Sequence, residues 1–200
     1  MTKQIFKGKE LTERRVINNI LRYYSLSNGD GMTWYNEAHK LALEVSDKTG
    51  HGIMNVAGVI AALSPQTSWE LNKVYLVRFM RDGIKAKANT GANKTKAARC
   101  LQAETVEEIK VILNGNKTTN FFLNMLFPDV DGIATIDRHA VAICIQRPQD
   151  AQAISEGVML TDKQYLFFES CYVAAAKSLG IKALELQAIT WVSYRLVRGL

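Results

Sequence analysis

Two polar side chains in this sequence could do covalent chemistry. Lys117 stands near the start of Asn116-Lys117-Thr118-Thr119-Asn120-Phe121-Phe122-Leu123-Asn124, where Phe121, Phe122, Met125 and Leu126 recur at helical spacing. Asp137 stands within Thr135-Ile136-Asp137-Arg138-His139, just before the apolar run Ala140, Val141, Ile143 and Cys144. Two helix N-termini twenty residues apart can converge on one point. An amine and a carboxylate held there are the minimal kit for breaking an N-glycosidic bond. The carboxylate stabilises an oxocarbenium-like sugar cation or activates the nucleophile, and the amine attacks the anomeric carbon as a Schiff-base former.

Each residue also has a plain structural role. An Asp before an apolar helix caps it by accepting from free backbone N–H groups, and a capping carboxylate can still face a cleft. A first-turn Lys is opposed by the helix dipole and ordinarily points into water. It can instead contact a phosphate, because Gly115-Asn116-Lys117-Thr118 offers backbone N–H groups at a helix N-terminus.

The positioning elements are all helical. Apolar periodicity predicts helices over about 10–27, 33–48, 52–63, 68–82, 93–102, 105–113, 116–126, 137–146, 161–178 and 182–197. Thr105-x-x-Glu108 and Thr161-x-x-Gln164 have the form of capping boxes, while Asn28-Gly29-Asp30-Gly31 and Gly180 have the form of helix stops. No strand-like alternation persists, so strand content is expected near zero. Arg147 to Leu160 is expected to be a surface loop. Two further stretches could touch a ligand. Leu63-Ser64-Pro65-Gln66-Thr67-Ser68-Trp69 reads as a proline turn with Ser68 or Thr67 as N-cap, or as a polar wedge with Gln66 entering a duplex to fill a vacated base position. Gly91-Ala92-Asn93-Lys94-Thr95-Lys96 with Arg99 reads as a solvated basic face or as a rim that contacts phosphates. Trp34, Tyr35 and Trp191 suit a core or an interface, and His39 and His51 are isolated.

Bulk properties narrow the class. At 48% hydrophobic and 22% charged, the 200 residues can bury a core and are not globally disordered. The length suits one domain, or a compact helical body with a small helical annex. A formal charge of +6 and a pI of about 9.2 favour an anionic partner, nucleic acid first. Cys100, Cys144 and Cys171 are far apart and lie in apolar contexts, which reads as buried free thiols in a reducing compartment. No run reaches the roughly 18 apolar residues of a membrane span, and the first ten residues lack a signal peptide's apolar stretch. The expected location is cytoplasmic. No His/Cys/Asp/Glu set has metal-ligand spacing, so no metal is expected.

The order of these pieces resembles the helix-hairpin-helix DNA glycosylase superfamily, with the nearest likeness to its endonuclease III-like, thymine-glycol glycosylase/lyase branch. Four segments within about residues 50–195 carry the resemblance. Ala62-Leu63-Ser64-Pro65-Gln66-Thr67, followed by Asn72-Lys73, resembles the segment that supplies the duplex-probing glutamine. Asn93-Lys94-Thr95-Lys96-Ala97 resembles the next helix start. Lys117 falls at the Schiff-base lysine, and Asp137 in Thr135-Ile136-Asp137-Arg138-His139 falls at the catalytic carboxylate. Two departures stand out. The family hairpin reads L-P-G-x-G, and here Val111-Ile112-Leu113-Asn114-Gly115 keeps only the second glycine, so a distorted hairpin with a weakened phosphate or cation site is expected. The four-cysteine iron–sulfur motif is missing.

The resemblance implies an all-α, two-lobed helical bundle, with residues 1–50 packing on a glycosylase-like core of residues 51–200. It implies a monomer without a cofactor that binds duplex DNA and flips the target nucleotide before chemistry. Asp137 and Lys117 would be catalytic, and Gln66, Thr67, Lys73, Lys94, Lys96, Gly115, Asn116, Thr118, Arg138 and His139 would contact DNA. Two other functions fit the same residues. One is a phage-type enzyme that substitutes activated hydroxymethylpyrimidines in DNA without releasing the base. The other is a DNA-binding protein without catalysis on the same scaffold.

Overall fold

The computed structural model describes residues 2–6, 9–146 and 160–199, with only the backbone of Lys9. Among these residues the chain is predominantly helical. They form ten α-helices and one small hairpin near the N-terminus. None of the helices is long and apolar enough to cross a membrane. The chain divides into two compact units, one made of Met1–Tyr35 with Asp129–Leu200 and the other of Asn36–Pro128. Residue 50, expected as a boundary, lies inside the second unit.

The second unit holds α2 (Trp34–Thr49) from Asn36 onward, α3 (Ile53–Leu63), α4 (Trp69–Asp82), α5 (Gly91–Gln102), α6 (Val106–Leu113) and α7 (Asn116–Leu126). A helix that is apolar on every side has to be surrounded. α3 is that helix: every residue from Val56 to Leu63 is buried, and α4, α5, α6 and α7 pack around it. Gly58 permits the closest of these approaches, since a Cβ there would stand 3.0 Å from the Cys100 Cβ and 3.2 Å from Ile109. Asn55 answers the carbonyls at the end of α5, donating to Cys100 O at 2.8 Å and Ala103 O at 2.7 Å. His39 bonds the Met125 carbonyl at 2.9 Å.

The first unit holds β1 (Lys3–Phe6), β2 (Lys9–Thr12), α1 (Glu13–Ser25), α8 (Arg138–Ile145), α9 (Asp162–Leu179) and α10 (Ala183–Arg198). α1 packs on α8, α9 and α10. The two four-residue strands were not expected from the sequence, and they delay α1 to Glu13, with Thr12 as its N-cap. Their antiparallel register sets Gln4 opposite Leu11 and Phe6 opposite Lys9, so Phe6 and Leu11 share a face. Both are at most 2% exposed, and Phe6 meets Phe168 of α9 edge-on with ring centroids 5.8 Å apart. That contact spans most of the sequence, which is why local alternation did not reveal the pair.

The capping signals hold at α4 and α9, whereas α1 closes at its C-cap Leu26, ahead of the expected Asn28–Gly31 stop. Thr161 and Gln164 form a full capping box, Ser68 caps α4, and Gly180 closes α9 in the left-handed conformation. At α6 Thr105 accepts from Glu108 N–H, but Glu108 reaches back to the N–H of Glu104, not to that of the cap. Of the loop expected over Arg147 to Leu160, residues 147–159 lie outside the described residues.

All three cysteines are free and buried. Burial pushes the Cys100 and Cys171 thiols up to about 12 and raises Cys144 well above its ordinary value. An unfolded thiol ionises near 9.0. The folded chain therefore holds protons that the unfolded chain releases. This contribution to stability is complete below about pH 9 and falls as the pH rises toward about 12. Urea midpoints measured across that range should decline less steeply in a Cys100→Ala/Cys171→Ala variant than in the parent. Equal slopes would show that the thiols are not responsible.

Candidate active site

The Asp137 carboxylate is placed by a buried segment that is neither helix nor strand. Ala134, Thr135 and Ile136 are all buried, so their backbone groups must find partners outside any helix or sheet ladder. The Tyr165 hydroxyl of α9 supplies two of these bonds. It accepts from Ile136 N–H at 3.1 Å and donates to Ala134 O at 3.3 Å. One turn further along α9, Glu169 Oε1 accepts from Ala134 N–H at 3.3 Å. The Tyr35 hydroxyl lies 2.9 Å from both Thr135 Oγ1 and Gln187 Oε1. The phenol has one proton, and both oxygens are placed to accept it.

Asp137 is the N-cap of α8, with Oδ1 accepting from Ala140 N–H at 2.8 Å. Its Oδ2 lies 3.5 Å from His139 Nδ1, and each of the two side chains is 18% exposed, enough for a small group to reach. Trp191 Nε1 donates to the same His139 nitrogen at 3.1 Å. An indole N–H can only donate, so Nδ1 is the acceptor and neutral His139 carries its proton on Nε2. With no proton on Nδ1, the 3.5 Å approach to Asp137 is a close contact and not a hydrogen bond. The imidazole also packs against Trp191 and Tyr194, with ring centroids 6.0 and 5.7 Å away. Arg195 lies over Trp191 at 4.7 Å and Arg198 over Tyr194 at 5.7 Å. The buried Tyr172 of α9 bonds Thr190 of α10 at 3.2 Å. Burial, together with the nearby Cys144 and Asp137, pushes its hydroxyl well above the ordinary range.

Lys117 lies in the second unit, exposed in the first turn of α7. α6 and α7 are joined by Asn114 and Gly115 alone. Asn114 is left-handed (φ 47°) and its N–H bonds Lys110 O at 3.1 Å, and Gly115 is extended. Thr118 Oγ1 and Thr119 N–H both donate to Gly115 O, at 3.1 and 2.9 Å. Lys96 Nζ donates to Leu113 O at 2.7 Å, which joins the α5 lysine to this hairpin, while Lys94 Nζ donates to Ala86 O at 3.0 Å. Both lysines, expected to contact phosphate, thus hold backbone carbonyls as well. Lys73 pairs with Glu70 at 2.7 Å. Gln66 is exposed and left-handed (φ 59°) in the turn between α3 and α4, next to Thr67. Arg138 is exposed beside Asp137.

The structure therefore gathers Asp137, Arg138 and His139 at one helix start and Gly115 to Thr118 with Lys96 at another. Among the described residues no group of three His, Cys, Asp or Glu side chains could hold a metal. Sequence reasoning missed Tyr165, Glu169 and Gln187 as supports. The i,i+4 spacing of Tyr165 and Glu169 on an apolar helix was the only local signal. Tyr165→Phe should leave the Ile136 N–H buried and unpaired and cost about 1–3 kcal/mol of stability, read from chemical denaturation. An unchanged midpoint would show that this bond does not hold the segment.

Comparison with known proteins adds one finding. No curated protein and no solved structure matches the chain. The family model that does match, described as a family of unknown function (DUF7178), covers residues 2–198. That is nearly the whole chain, and the protein belongs to this family.

Proposed function

We propose that the chain is a DNA glycosylase of the helix-hairpin-helix type with a Schiff-base lyase step. The observation that carries this reading is the construction around Asp137. A half-buried carboxylate sits at a helix start, on a segment whose backbone is bonded by Tyr165 and Glu169 and whose Thr135 side chain is bonded to Tyr35. Such support is what a charge-stabilising group needs to keep its geometry through a reaction. Three features lend further support. The α6–Asn114–Gly115–α7 pair is a helix–turn–helix with a two-residue link and the Lys96 ammonium on its carbonyl. Gln66 projects from a turn at the end of the central helix. A concave patch lined by Arg78, Arg81, Lys85 and Lys87, with Asp82 as its one carboxylate, suits a polyanion.

In the proposed reaction the nucleotide is flipped out and Gln66 fills the space it leaves. Lys117 Nζ attacks C1′ as the C1′–N bond breaks, and the base departs with the bonding pair and takes up a proton. Asp137 stabilises the positive charge on the sugar. The C1′–O4′ bond then breaks, with the amine's proton passing to O4′, and the resulting imine permits β-elimination, in which a C2′ proton is lost and the 3′-phosphate departs with the C3′–O pair.

Base release is tested by mass spectrometry of small molecules and digested DNA. The substrates are ordinary, oxidised, deaminated and hydroxymethylpyrimidine-containing duplexes. Asp137→Asn keeps a capping side chain and should abolish release of free base while leaving DNA affinity intact; near-parental excision would remove Asp137 from the mechanism. Separately, Lys117→Ala should eliminate any DNA adduct trapped by borohydride, and a persisting adduct would point to another amine. The base-substituting reaction is the second reading. It is favoured by the buried Leu113 where the family hairpin has its first glycine. It predicts a shifted nucleoside mass in the DNA with no free base.

A further inference from the structure

Three described residues other than glycine have positive φ: Gln66, Asn114 and Gln146. Asn114 and Gln146 are helix C-caps, where a left-handed residue closes the last turn. Gln66 is different. It is the third residue of the turn Ser64–Thr67, in which Thr67 N–H bonds Ser64 O at 3.2 Å and Pro65 stands second. Proline second and positive φ third are the signature of a type II turn, whose third position normally takes glycine. A glutamine there has a conformational cost that its surroundings must offset.

Asn89 is placed to do so. Its Nδ2 lies 2.8 Å from Leu63 O, 2.9 Å from Pro65 O and 3.0 Å from Thr67 Oγ1. Its Oδ1 accepts from Thr90 N–H at 2.7 Å, which fixes the amide with nitrogen toward the turn. The Pro65 carbonyl is the informative partner. Type I and type II turns differ by rotation of the peptide between their second and third residues. Here that peptide is Pro65–Gln66, and Asn89 grips its oxygen. Thr67 Oγ1 donates to the same oxygen at 3.0 Å. All of these residues lie in the second unit.

We propose that Asn89 is a positioning residue for Gln66: it selects the type II form of the turn and so sets the direction in which the glutamine projects toward DNA. The proposal rests on the reading of Gln66 as the group that fills the vacated base position.

The test uses the full chain with Asn89→Ala, the milder Asn89→Ser, Gln66→Ala, and Asn89→Ala combined with Gln66→Ala. The first measurement is NMR of the free protein. In a type II turn the Pro65 Hα lies close to the Gln66 amide proton, and in type I it does not, so the nuclear Overhauser effect between them reports the form. The second is the ratio of affinities for a duplex carrying a tetrahydrofuran abasic analogue and for the same duplex intact. A general loss of folding would weaken both affinities and leave their ratio alone.

Asn89→Ala should lose the Pro65–Gln66 signal, and Asn89→Ser should weaken it. The affinity ratio should fall roughly tenfold, to the level of Gln66→Ala, and the double variant should fall no further. A signal that persists in Asn89→Ala overturns the proposal whatever Gln66 does. Additive losses in the double variant also overturn it, because Asn89 would then act elsewhere. If Asn89→Ala turns the peptide but Gln66→Ala leaves the ratio unchanged, the wedge reading has failed, and the positioning role falls with it.

Discussion

A backbone group that leaves a helix without reaching water has to be met by a side chain, and this constraint governs both places where the protein could act. At Ala134–Asp137 the chain is buried and irregular, and the Tyr165 hydroxyl serves as donor and acceptor at once. At Leu63–Thr67 the chain leaves the most buried helix of the second unit, and one amide, Asn89, meets two carbonyls and a hydroxyl. In each case polar side chains replace the lost ladder, Tyr165 with Glu169 at the first segment and Asn89 with Thr67 at the second. The residue next in line, Asp137 or Gln66, then projects in a defined direction. Rigid helices alone would not achieve this, because neither residue lies within a regular element.

The same constraint explains what could be read from the sequence. Helix positions were legible nearly to the residue because their signals are local: Ser68, Thr105, Asp137 and Thr161 cap the helices that their spacing predicts. Asp137 was legible as a cap for the same reason. The supports were not. Tyr165 lies 29 residues from Ile136 and Tyr35 lies 100 from Thr135. A tyrosine that satisfies a remote amide looks, in sequence, like any other core aromatic. The hairpin was hidden likewise, since four-residue strands carry little alternation and Phe6 is buried by a helix beyond residue 160.

Lys94 and Lys96 show where charge reasoning alone misleads. Counted from sequence they belong to a basic rim. In the fold each ammonium holds a carbonyl, and Lys96 does so at the C-terminal end of α6, where a positive charge is favoured by the helix dipole. This does not remove them from contact with an anion, because an ammonium has three donors and one bond leaves two. It does change their character, from mobile surface cations to charges with a fixed place beside the hairpin. Fixed charges lose less side-chain entropy on binding. A residue chosen for its sign can therefore owe its position to a backbone carbonyl.

The two oxygens of Asp137 are not equivalent, and the difference bears on its part in the proposed reaction. Oδ1 is committed to the Ala140 amide at 2.8 Å, while Oδ2 faces His139, whose Nδ1 is occupied by the Trp191 proton. A carboxylate that rotated to carry a proton from nucleophile to leaving group would have to break the cap. One that stays in place and offers its negative charge to a developing sugar cation keeps every bond it has. The helix N-terminus favours that charge, and the bonds to Tyr165, Glu169 and Tyr35 limit reorganisation as it acts. The geometry thus suits Asp137 to an electrostatic role better than to proton shuttling, and it leaves acid–base work to other groups or to water.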